Sequence, residues 1–450
     1  MCGVLFISSS TIEHYIELLG REVDGIRRRG PDATSIYQRG RYLFGHFLLS
    51  MTGEHCFQPR VEGETVTLFN GEIYNYADFD STDEIRTFSN MEWEAAEIRA
   101  RLEAINGEYA AIIYSDVRGE LIVSTDSFGT KPVWIGYSEE TDDWGVCSYP
   151  NLLVALGLNR VAKFRAGQAV IFNAKTGNIV RTMHHGGLDL KQHKTSYDSW
   201  FIAFEEAVRL RVKSRHGGII PLSSGYDSGC IAAACLRIGA NMKYLTIRAE
   251  ENTEVLQKRF DLLKNNMIFL SPTLKEGSYH QSLLHQNVPD FSYSRYIPHA
   301  LNLMSEDPGA IGLSIICKYS QENLGARIVL SGQGADEIYS DYGFNKVKYS
   351  KSSFLAGHFP DDIASVFPWP NLYGGVNECY LLKDEYVTGC HSMEGRYPFL
   401  DKNVVQESFW LTAELKNRRY KAPIAEYLDC TEFPYCENEK KGFNALVGAV

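Results

Sequence analysis

The sequence lacks the features that mark several common classes of protein. No two of its ten cysteines form a CxxC pair, which argues against a zinc site or a disulfide framework and favours a reducing compartment. No apolar run approaches the roughly 18 residues of a membrane span. The N-terminus also lacks the basic region and apolar core of a secretory signal. We therefore expect a cytoplasmic protein that does not enter a membrane.

Basic residues are fewer than acidic residues. Lys and Arg number 45 against 56 Asp and Glu, and the net charge of −11 argues against a general nucleic-acid binder. The absence of a fixed-period repeat argues against solenoids and propellers. With 450 residues, of which 44% are hydrophobic, the chain is long enough for about two to four domains with substantial cores.

The pattern of the chain changes near its middle. Residues up to about 180 contain many short apolar strands broken by Gly, Asn and Asp, which predicts an α+β fold of stacked antiparallel sheets flanked by helices. From about residue 195 strands and helices alternate, which predicts a parallel α/β sheet that binds its ligand at the carboxyl ends of the strands. The polar stretch 184–199 is the predicted linker between domains at 2–185 and 195–450. One early amphipathic helix is predicted from apolar residues at helical spacing, namely Ile12, Tyr15, Ile16, Leu19, Val23 and Ile26.

The second residue is a candidate nucleophile. Cys2 follows Met1, so removal of Met1 would leave a thiol and a free α-amine on one residue. Because an α-amine titrates near pH ~7.7–8, it can accept the thiol proton without a histidine. The alternative is a buried cysteine beside an ordinary strand, and the string MCG alone leaves both open.

Four further strings follow in order: RRRGPDAT (27–34), QP (58–59), NGEIYN (70–75) and TDSFGTKPVW (125–134). With MCG they resemble the glutaminase domain of the class II glutamine amidotransferases, an N-terminal-nucleophile-hydrolase type of fold, over roughly residues 1–180. The resemblance implies glutamine as substrate, Cys2 as nucleophile, the Asn70 side chain and the Gly71 N–H as oxyanion hole, and glutamine binding by these groups with Glu72 and Asp83. Taken alone, the Asn70-Gly71 dipeptide would instead predict a type I′ hairpin turn.

Two departures from the family pattern concern the binding of glutamine. Leu48, in GHFLLSM (45–51), stands where the family has an Arg that binds the α-carboxylate. Thr82, in STDEI (81–85), stands where an Asp binds the α-amine, and Asp83 comes one residue later. Because a bidentate Arg is missing, we expect weakened affinity for the amino-acid carboxylate. The nucleophile and the oxyanion hole are nevertheless expected to be intact.

A Ser/Gly-rich string, PLSSGYDSG (221–229), lies between an apolar strand and a helix. The backbone N–H groups and the helix N-terminus at such a turn can bind pyrophosphate. Asp227 is placed to bind Mg²⁺, and Ser223 and Ser228 can donate to phosphate oxygens. The string does not have the GxxxxGK[ST] pattern of a Walker A loop. The alternative is an ordinary strand-to-helix turn with a capping Ser or Asp.

The same string resembles the pyrophosphate loop of the asparagine synthetase family. Three later strings resemble further family motifs in the same order: SGQGADEIY (331–339), MEGRYPFLD (393–401) and NEKKGF (438–443). The resemblance implies ATP and Mg²⁺ without a redox cofactor, a small carboxylate as second substrate, and a homodimer. It implies Mg²⁺ binding by Asp227 and Asp336 and catalysis by Lys440, for which the alternative is a solvated lysine in a charged tail. The residues implied in ATP binding are Leu222, Ser223, Gly225, Asp227, Ser228, Ile247, Ser331 and Gly332.

Gln333 is the most informative departure from this family. The family has a catalytic Glu there, and an amide can only donate and accept hydrogen bonds where a carboxylate can act as a base or bind a cation. Ser340 and Asp341 also replace two family glycines near the acyl substrate. Three functions stay open: an asparagine synthetase that releases AMP and pyrophosphate, an amidotransferase for another carboxylate, and a decayed scaffold. The retention of Cys2 and Asp227 opposes decay.

Overall fold

The computed structural model describes residues 2–52, 55–79, 84–89, 93–248, 251–297, 300 and 302–437. The chain divides into two compact units, one of residues 1–187 with 287–289 and one of residues 188–286 with 290–450. Among the described helices, none is both long enough and apolar enough to cross a membrane.

The first unit is built mainly from strands. Its strands are β1 (Gly3–Ser8), β2 (Ala33–Arg39), β3 (Tyr42–Leu48), β4 (Arg60–Glu62), β5 (Thr65–Ile73), β6 (Gly107–Ser115), β7 (Glu120–Thr125), β8 (Trp134–Tyr137), β9 (Trp144–Cys147), β10 (Arg160–Lys163), β11 (Gln168–Asn173) and β12 (Ile179–His184). Its helices are α1 (Ile12–Glu22), α2 (Asp24–Arg29), α3 (Arg86–Ser89), α4 (Ala95–Ala104) and α5 (Pro150–Ala155).

These strands form two six-stranded antiparallel sheets that pack face to face. The strand orders are β10-β8-β9-β1-β3-β2 and β12-β11-β7-β6-β5-β4. Alternate residues of a strand point to one face, so Val4 and Phe6 of β1 and Phe44 of β3 meet Val66 and Leu68 of β5 in one buried cluster. Apolar residues of α3 and α4 cover the opposite face of the second sheet. The predicted stacked antiparallel sheets with helices outside are confirmed.

The predicted early helix is two helices. The helix α1 ends at Glu22 and α2 begins at Asp24, with Val23 between them at φ −94° and ψ 1°. The apolar spacing located most of the buried face, including Tyr15, but Ile16 is 41% exposed and lies outside it.

The second unit contains the predicted alternation of strands and helices. Its strands are β13 (Gly217–Pro221), β14 (Met242–Ile247), β15 (Met267–Leu270), β16 (Ala326–Leu330), β17 (Gly343–Phe344), β18 (Val347–Lys348) and β19 (Glu394–Arg396). The helices are α6 (Asp198–Arg211), α7 (Tyr226–Arg237), α8 (Thr253–Leu263), α9 (Leu274–Asn287), α10 (Pro308–Leu324), α11 (Ala335–Tyr339), α12 (Pro370–Tyr373), α13 (Gly375–Cys390), α14 (Lys402–Trp410), α15 (Ala413–Asn417) and α16 (Ala422–Cys430).

Five of these strands form a parallel sheet in the order β15-β14-β13-β16-β19, which confirms the predicted sheet type. The strands β13 and β16 are neighbours, and each is followed by a loop and a helix, α7 and α11 respectively. Because parallel strands end at the same edge, the two sequence motifs after β13 and β16 meet there. The short strands β17 and β18 form a separate antiparallel pair.

Part of the predicted linker is hydrogen-bonded within the second unit. The backbone N–H of Asp189 donates to Gln406 Oε1 at 2.8 Å. The N–H groups of His193 and Lys194 both donate to the Trp410 carbonyl oxygen at 2.8 Å. Residues 189–194 therefore run as irregular chain along α14.

A buried arginine supports the loop between β13 and α7. Arg259 of α8 donates to the carbonyl oxygens of Ser223, of Gly225 at 2.9 Å and of Pro434 at 2.8 Å, and it is fully buried. A Cβ atom on Gly229 would lie 2.4 Å from its Nη2. Glycine at position 229 therefore leaves the space that the guanidinium needs.

We expect Gly229→Ala to lower the stability of the second unit although alanine is the better helix former. Displacing the guanidinium would leave buried carbonyl groups unpaired, at a cost of about 1–3 kcal/mol. Thermal unfolding measures this, with Gly20→Ala as the control, because a Cβ at Gly20 of α1 meets no atom within 4 Å. The control should gain about 0.5–1 kcal/mol. A gain for both variants would show that Arg259 moves aside without cost.

Candidate active sites

Cys2 is fixed at three places in the first unit. Its backbone N donates to Asn70 Oδ1 at 2.7 Å, and its carbonyl oxygen accepts from Arg29 Nε at 2.8 Å. Its Sγ lies 3.7 Å from the Leu49 carbonyl oxygen. Removal of Met1 would turn this backbone N into the α-amine of the nucleophile, already in contact with Asn70. Arg29 lies in the predicted RRRGPDAT string, but the sequence gave it no individual role.

Asn70 and Gly71 lie inside β5 and not in a turn. Asn70 pairs with Ala110 and Gly71 with Tyr109 of β6, which excludes the hairpin-turn alternative. Asn70 is fully buried, and its Nδ2 meets no acceptor among the described residues. Gly71 has φ +137°, and a Cβ there would lie 1.9 Å from the Glu108 carbonyl oxygen. A buried amide donor beside a cysteine can stabilise an oxyanion.

Only some of the predicted glutamine-binding positions lie among the described residues. Thr82 and Asp83 lie outside the described residues. Leu48 is 4% exposed at the end of β3 and brings no charge. Glu72 is buried, and Thr52 Oγ1 donates to its Oε2 at 3.5 Å. The structure therefore brings Cys2 to Asn70 but does not explain the loss of the family Arg at Leu48.

In the second unit, the loop after β13 is held by its own hydroxyl groups. Ser228 Oγ lies 3.0 Å from Ser223 Oγ and accepts from the Ser223 N–H at 3.1 Å. The Gly225 N–H donates to Ser223 Oγ at 3.1 Å, and the Ser224 N–H donates to Glu251 Oε2 at 2.6 Å. The loop leads into the N-terminus of the 12-residue helix α7, and its role in binding pyrophosphate stays a prediction.

Asp227 and Asp336 converge on one buried ammonium group. Lys421 Nζ lies 2.6 and 2.8 Å from the two carboxylate oxygens of Asp227 and 2.9 Å from Asp336 Oδ1. The Tyr420 hydroxyl also donates to Asp336 Oδ1 at 3.1 Å. Burial alone would lower the pKa of Lys421, but the two carboxylates hold it well above its usual value. The sequence did not single out Lys421.

The two carboxylates fit a magnesium ion that is completed by a nucleotide. Within the described part of the chain, no group of three or more His, Cys, Asp or Glu residues could hold a metal by itself. Mg²⁺ usually takes one or two carboxylates together with substrate phosphates, and Asp227 and Asp336 already share one cation. Predicted Lys440 lies outside the described residues.

The remaining predicted nucleotide residues lie at the same edge of the sheet. Ser331 and Gly332 follow β16, and a Cβ on Gly332 would lie 2.9 Å from Asp227 Cβ. Glycine at 332 therefore permits the two loops to approach. Leu222 and Ile247 are buried, at 0% and 1% exposure.

The structure explains the aspartate at position 341. The Asp341 carboxylate accepts the N–H groups of Phe354 and Leu355 and, at 2.8 Å, Asn371 Nδ2. Its φ of +42° lies in the region that favours glycine. Asp341 thus adopts a backbone conformation that favours glycine, and its carboxylate links it to the following loop.

Glu337 of α11 is a buried carboxyl group at this edge. Burial, followed by the charge of Asp336, raises its pKa to about 7. The Tyr342 hydroxyl donates to Glu337 Oε1, and the Gly334 N–H donates to Oε2 at 3.1 Å.

This raised pKa predicts a pH-dependent loss of stability. The protonated carboxyl stabilises the folded state fully below the unfolded pKa of about 4.3, and this contribution is lost as the pH rises through about 7. Between about pH 5 and about pH 8, we expect the free energy of unfolding to fall by about 3 kcal/mol less in Glu337→Gln than in wild type. Denaturant unfolding at each pH measures the difference, with the exposed Glu322→Gln as control. Parallel stability curves for wild type and Glu337→Gln would contradict the prediction.

Comparisons with known proteins agree with this geometry. Residues 1–186 match the model of the glutamine amidotransferase domain. A putative glutamine-hydrolysing asparagine synthetase of Methanocaldococcus jannaschii is 26% identical over 85% of this chain and 72% of its own length. A probable glutamine-hydrolysing asparagine synthetase of Schizosaccharomyces pombe is 23% identical over 92% of this chain and 77% of its own length.

Among solved structures, glutamine phosphoribosylpyrophosphate amidotransferase from B. subtilis matches 74% of this chain and 75% of its own at 15% identity, with a TM-score of 0.33. Residues 1–186 form a glutamine amidotransferase domain, and over most of its length the chain is similar to glutamine-hydrolysing asparagine synthetases.

Proposed function

We propose that the chain hydrolyses glutamine in its first unit and uses the ammonia for ATP-dependent amidation of a carboxylate in its second. The observation that carries the proposal is the meeting of Asp227, Asp336 and Lys421 beside a Ser/Gly loop at a helix N-terminus. Glutamine hydrolysis alone would not require this cluster. A site of paired carboxylates and a lysine is suited to a magnesium-bound nucleoside triphosphate.

The glutaminase half-reaction uses Cys2 and Asn70. The α-amine of Cys2 accepts the thiol proton, and the thiolate attacks the amide carbon of glutamine. The negative oxygen that forms accepts a hydrogen bond from Asn70 Nδ2, which is buried and has no acceptor among the described residues, and from the Gly71 N–H. The protonated α-amine gives its proton to the amide nitrogen, which leaves as ammonia when its bond to carbon breaks. Water then hydrolyses the thioester to glutamate and regenerates the Cys2 thiol.

The synthetase half-reaction joins the carboxylate to AMP before ammonia attacks. A carboxylate oxygen of the acyl substrate attacks the α-phosphorus of ATP, and pyrophosphate leaves. Ammonia then attacks the acyl carbon, and AMP leaves with the bonding electrons. Asp227 and Asp336 are the residues that would hold Mg²⁺, which when bound neutralises phosphate charge. Lys421 stays charged and supplies a further cation at the phosphates.

Aspartate is the first candidate for the acyl substrate, because the relatives are named asparagine synthetases. Another carboxylate is the second candidate, favoured by Gln333 in place of the family Glu. A panel of carboxylates in ATP–pyrophosphate exchange separates the two candidates. Absence of exchange with every carboxylate would support a decayed scaffold instead.

Cys2→Ala tests the first half-reaction. We expect loss of glutamate production from glutamine, while synthesis from added ammonia continues, because only the nucleophile is removed. Glutamate and pyrophosphate are measured in the same samples, and Cys430→Ala serves as control because that thiol is exposed on α16. Undiminished glutaminase activity in Cys2→Ala would refute the assignment.

Asp227→Asn tests the second half-reaction. The change removes one of two carboxylates available to Mg²⁺, and it leaves Lys421 with a single charged partner. We expect at least about a hundred-fold loss of ATP–pyrophosphate exchange, equivalent to about 3 kcal/mol. Asp261→Asn, at an exposed residue of α8, is the matched control and should not change the rate. A wild-type rate of exchange for Asp227→Asn would show that the loop between β13 and α7 is only a structural turn.

A further inference from the structure

A short hairpin borders the cavity beside the nucleotide loop. The cavity has a volume of about 520 Å³ and is lined by Asp227, Lys421 and Asp384, and also by Tyr349, Ser350 and Ser352. The last three residues follow the strands β17 and β18 in the chain. Residues 342–360, called the hairpin segment below, therefore lie beside the candidate synthetase site. None of them was a predicted site residue.

The turn of the hairpin is fixed by its backbone. The strands pair Phe344 with Val347, and the two residues between them, Asn345 and Lys346, have φ +49° and +66°. These angles are those of a two-residue type I′ turn, whose twist matches the flanking strands. The Tyr342 carbonyl oxygen also accepts the N–H groups of the two residues after β18, at 2.7 and 3.2 Å. The hairpin is therefore a built element of the fold.

The base of the hairpin is tied to the synthetase site. The ring centre of Tyr349 lies 5.5 Å from that of Tyr420, whose hydroxyl donates to a carboxylate of the candidate magnesium site. The Asp341 carboxylate, which precedes the hairpin, accepts the N–H groups of Phe354 and Leu355, which follow it. The hairpin is thus held in one place relative to the cavity.

The hairpin segment is basic in an acidic chain. It contains Lys346, Lys348 and Lys351 and no Asp or Glu, whereas the whole chain has a net charge of −11. All three lysines are exposed, and none has an ion-pair partner among the residues that the structure describes. Their positive charge is therefore available to a partner that carries carboxylates.

Apolar side chains are exposed on the same segment. Val347, Tyr349 and Phe354 are 58%, 41% and 55% exposed. Exposed apolar side chains that lie close together mark interaction surfaces more often than scattered ones do. A free amino acid inside the cavity would leave these exposed side chains without a contact. A larger partner that carries both acidic and apolar residues would cover them.

We propose that the hairpin segment is a docking surface for an acidic polypeptide, and that this polypeptide carries the carboxylate that the synthetase site amidates. The inference rests on the proposed function and specifies its second acyl candidate, a carboxylate other than free aspartate. Charge complementarity selects the partner, because the three lysines attract a segment that the chain as a whole repels. A polypeptide fits better than a nucleic acid, because the proposed reaction consumes a carboxylate.

Two peptides with blocked ends test the docking surface. One contains several aspartates between leucines, and the other has asparagine in place of all the aspartates but one, so both offer a carboxylate for reaction. We expect wild type to bind the acidic peptide at least about ten-fold more tightly at low salt, measured by fluorescence anisotropy. The difference should shrink as the salt concentration rises, because salt screens exposed charges.

Reversal of charge locates the binding. The triple variant Lys346→Glu, Lys348→Glu, Lys351→Glu should lose the preference for the acidic peptide, because three attractions become repulsions. The control is the triple variant Lys175→Glu, Lys191→Glu, Lys275→Glu, which changes the net charge equally at exposed lysines outside the hairpin segment. It should keep most of the preference, and thermal unfolding checks that both variants are folded.

ATP–pyrophosphate exchange tests whether the docked peptide is the acyl substrate. We expect wild type to have a KM for the acidic peptide that is at least about ten-fold lower than its KM for the single-aspartate peptide. In the hairpin triple variant the ratio of these two constants should rise at least about ten-fold. A purely structural role of the hairpin would change both constants together and leave their ratio as it is.

Four results would contradict the proposals in different ways. Equal binding of the two peptides by wild type, or an equal loss in the control variant, would overturn the docking surface and leave the proposed function standing. Displacement of the acidic peptide by a single-stranded oligonucleotide of equal charge would overturn the choice of a polypeptide. Binding of the acidic peptide without exchange, while free aspartate supports exchange, would overturn the peptide as substrate. Exchange with neither peptide nor any free carboxylate would overturn the proposed function.

Discussion

The contact between the Lys421 ammonium and the carboxylates of Asp227 and Asp336 is the constraint on which the synthetase site depends. The two carboxylates follow neighbouring parallel strands and would repel each other without a cation between them. Lys421 is 3% exposed and has φ +48°, a conformation that is sparsely populated for a side-chain-bearing residue. Removing one partner of a buried ion pair lowers the stability of the fold by about 3–5 kcal/mol. The cation therefore fixes how close the two loops come to each other.

Close backbone approach is the second constraint, and it occurs in both units. Gly332 lets its loop pass Asp227, and Gly71 lets β5 lie against the carbonyl of Glu108, where a Cβ would be 1.9 Å away. In each case glycine is needed for space. At Gly71 it is also needed for φ +137°. Close backbone approach thus brings the candidate groups together in both units.

The fold class could be predicted because its signals are local. Apolar runs, Ser/Gly punctuation and the change to alternating strands and helices are read within short windows. The local turn signal at Asn70-Gly71 was misleading, since pairing with β6 over the whole of β5 overrides it. Lys421 could not be predicted, because it meets Asp227 across 194 residues and no pattern near it marks the contact. Asp384 could not be predicted for the same reason, since its hydrogen-bond donor Ser331 is 53 residues away in the sequence.

One departure from the family motifs is accompanied by matching partners. Asp341 accepts the N–H groups of Phe354 and Leu355 and the Asn371 amide. Random loss of function would not produce donors for a buried carboxylate, because a mismatched partner there costs about 1–3 kcal/mol. Leu48 differs, since nothing in the structure explains it. The hydrogen-bonded carboxylate at position 341 therefore argues against decay at that position, whereas Leu48 supplies no such argument.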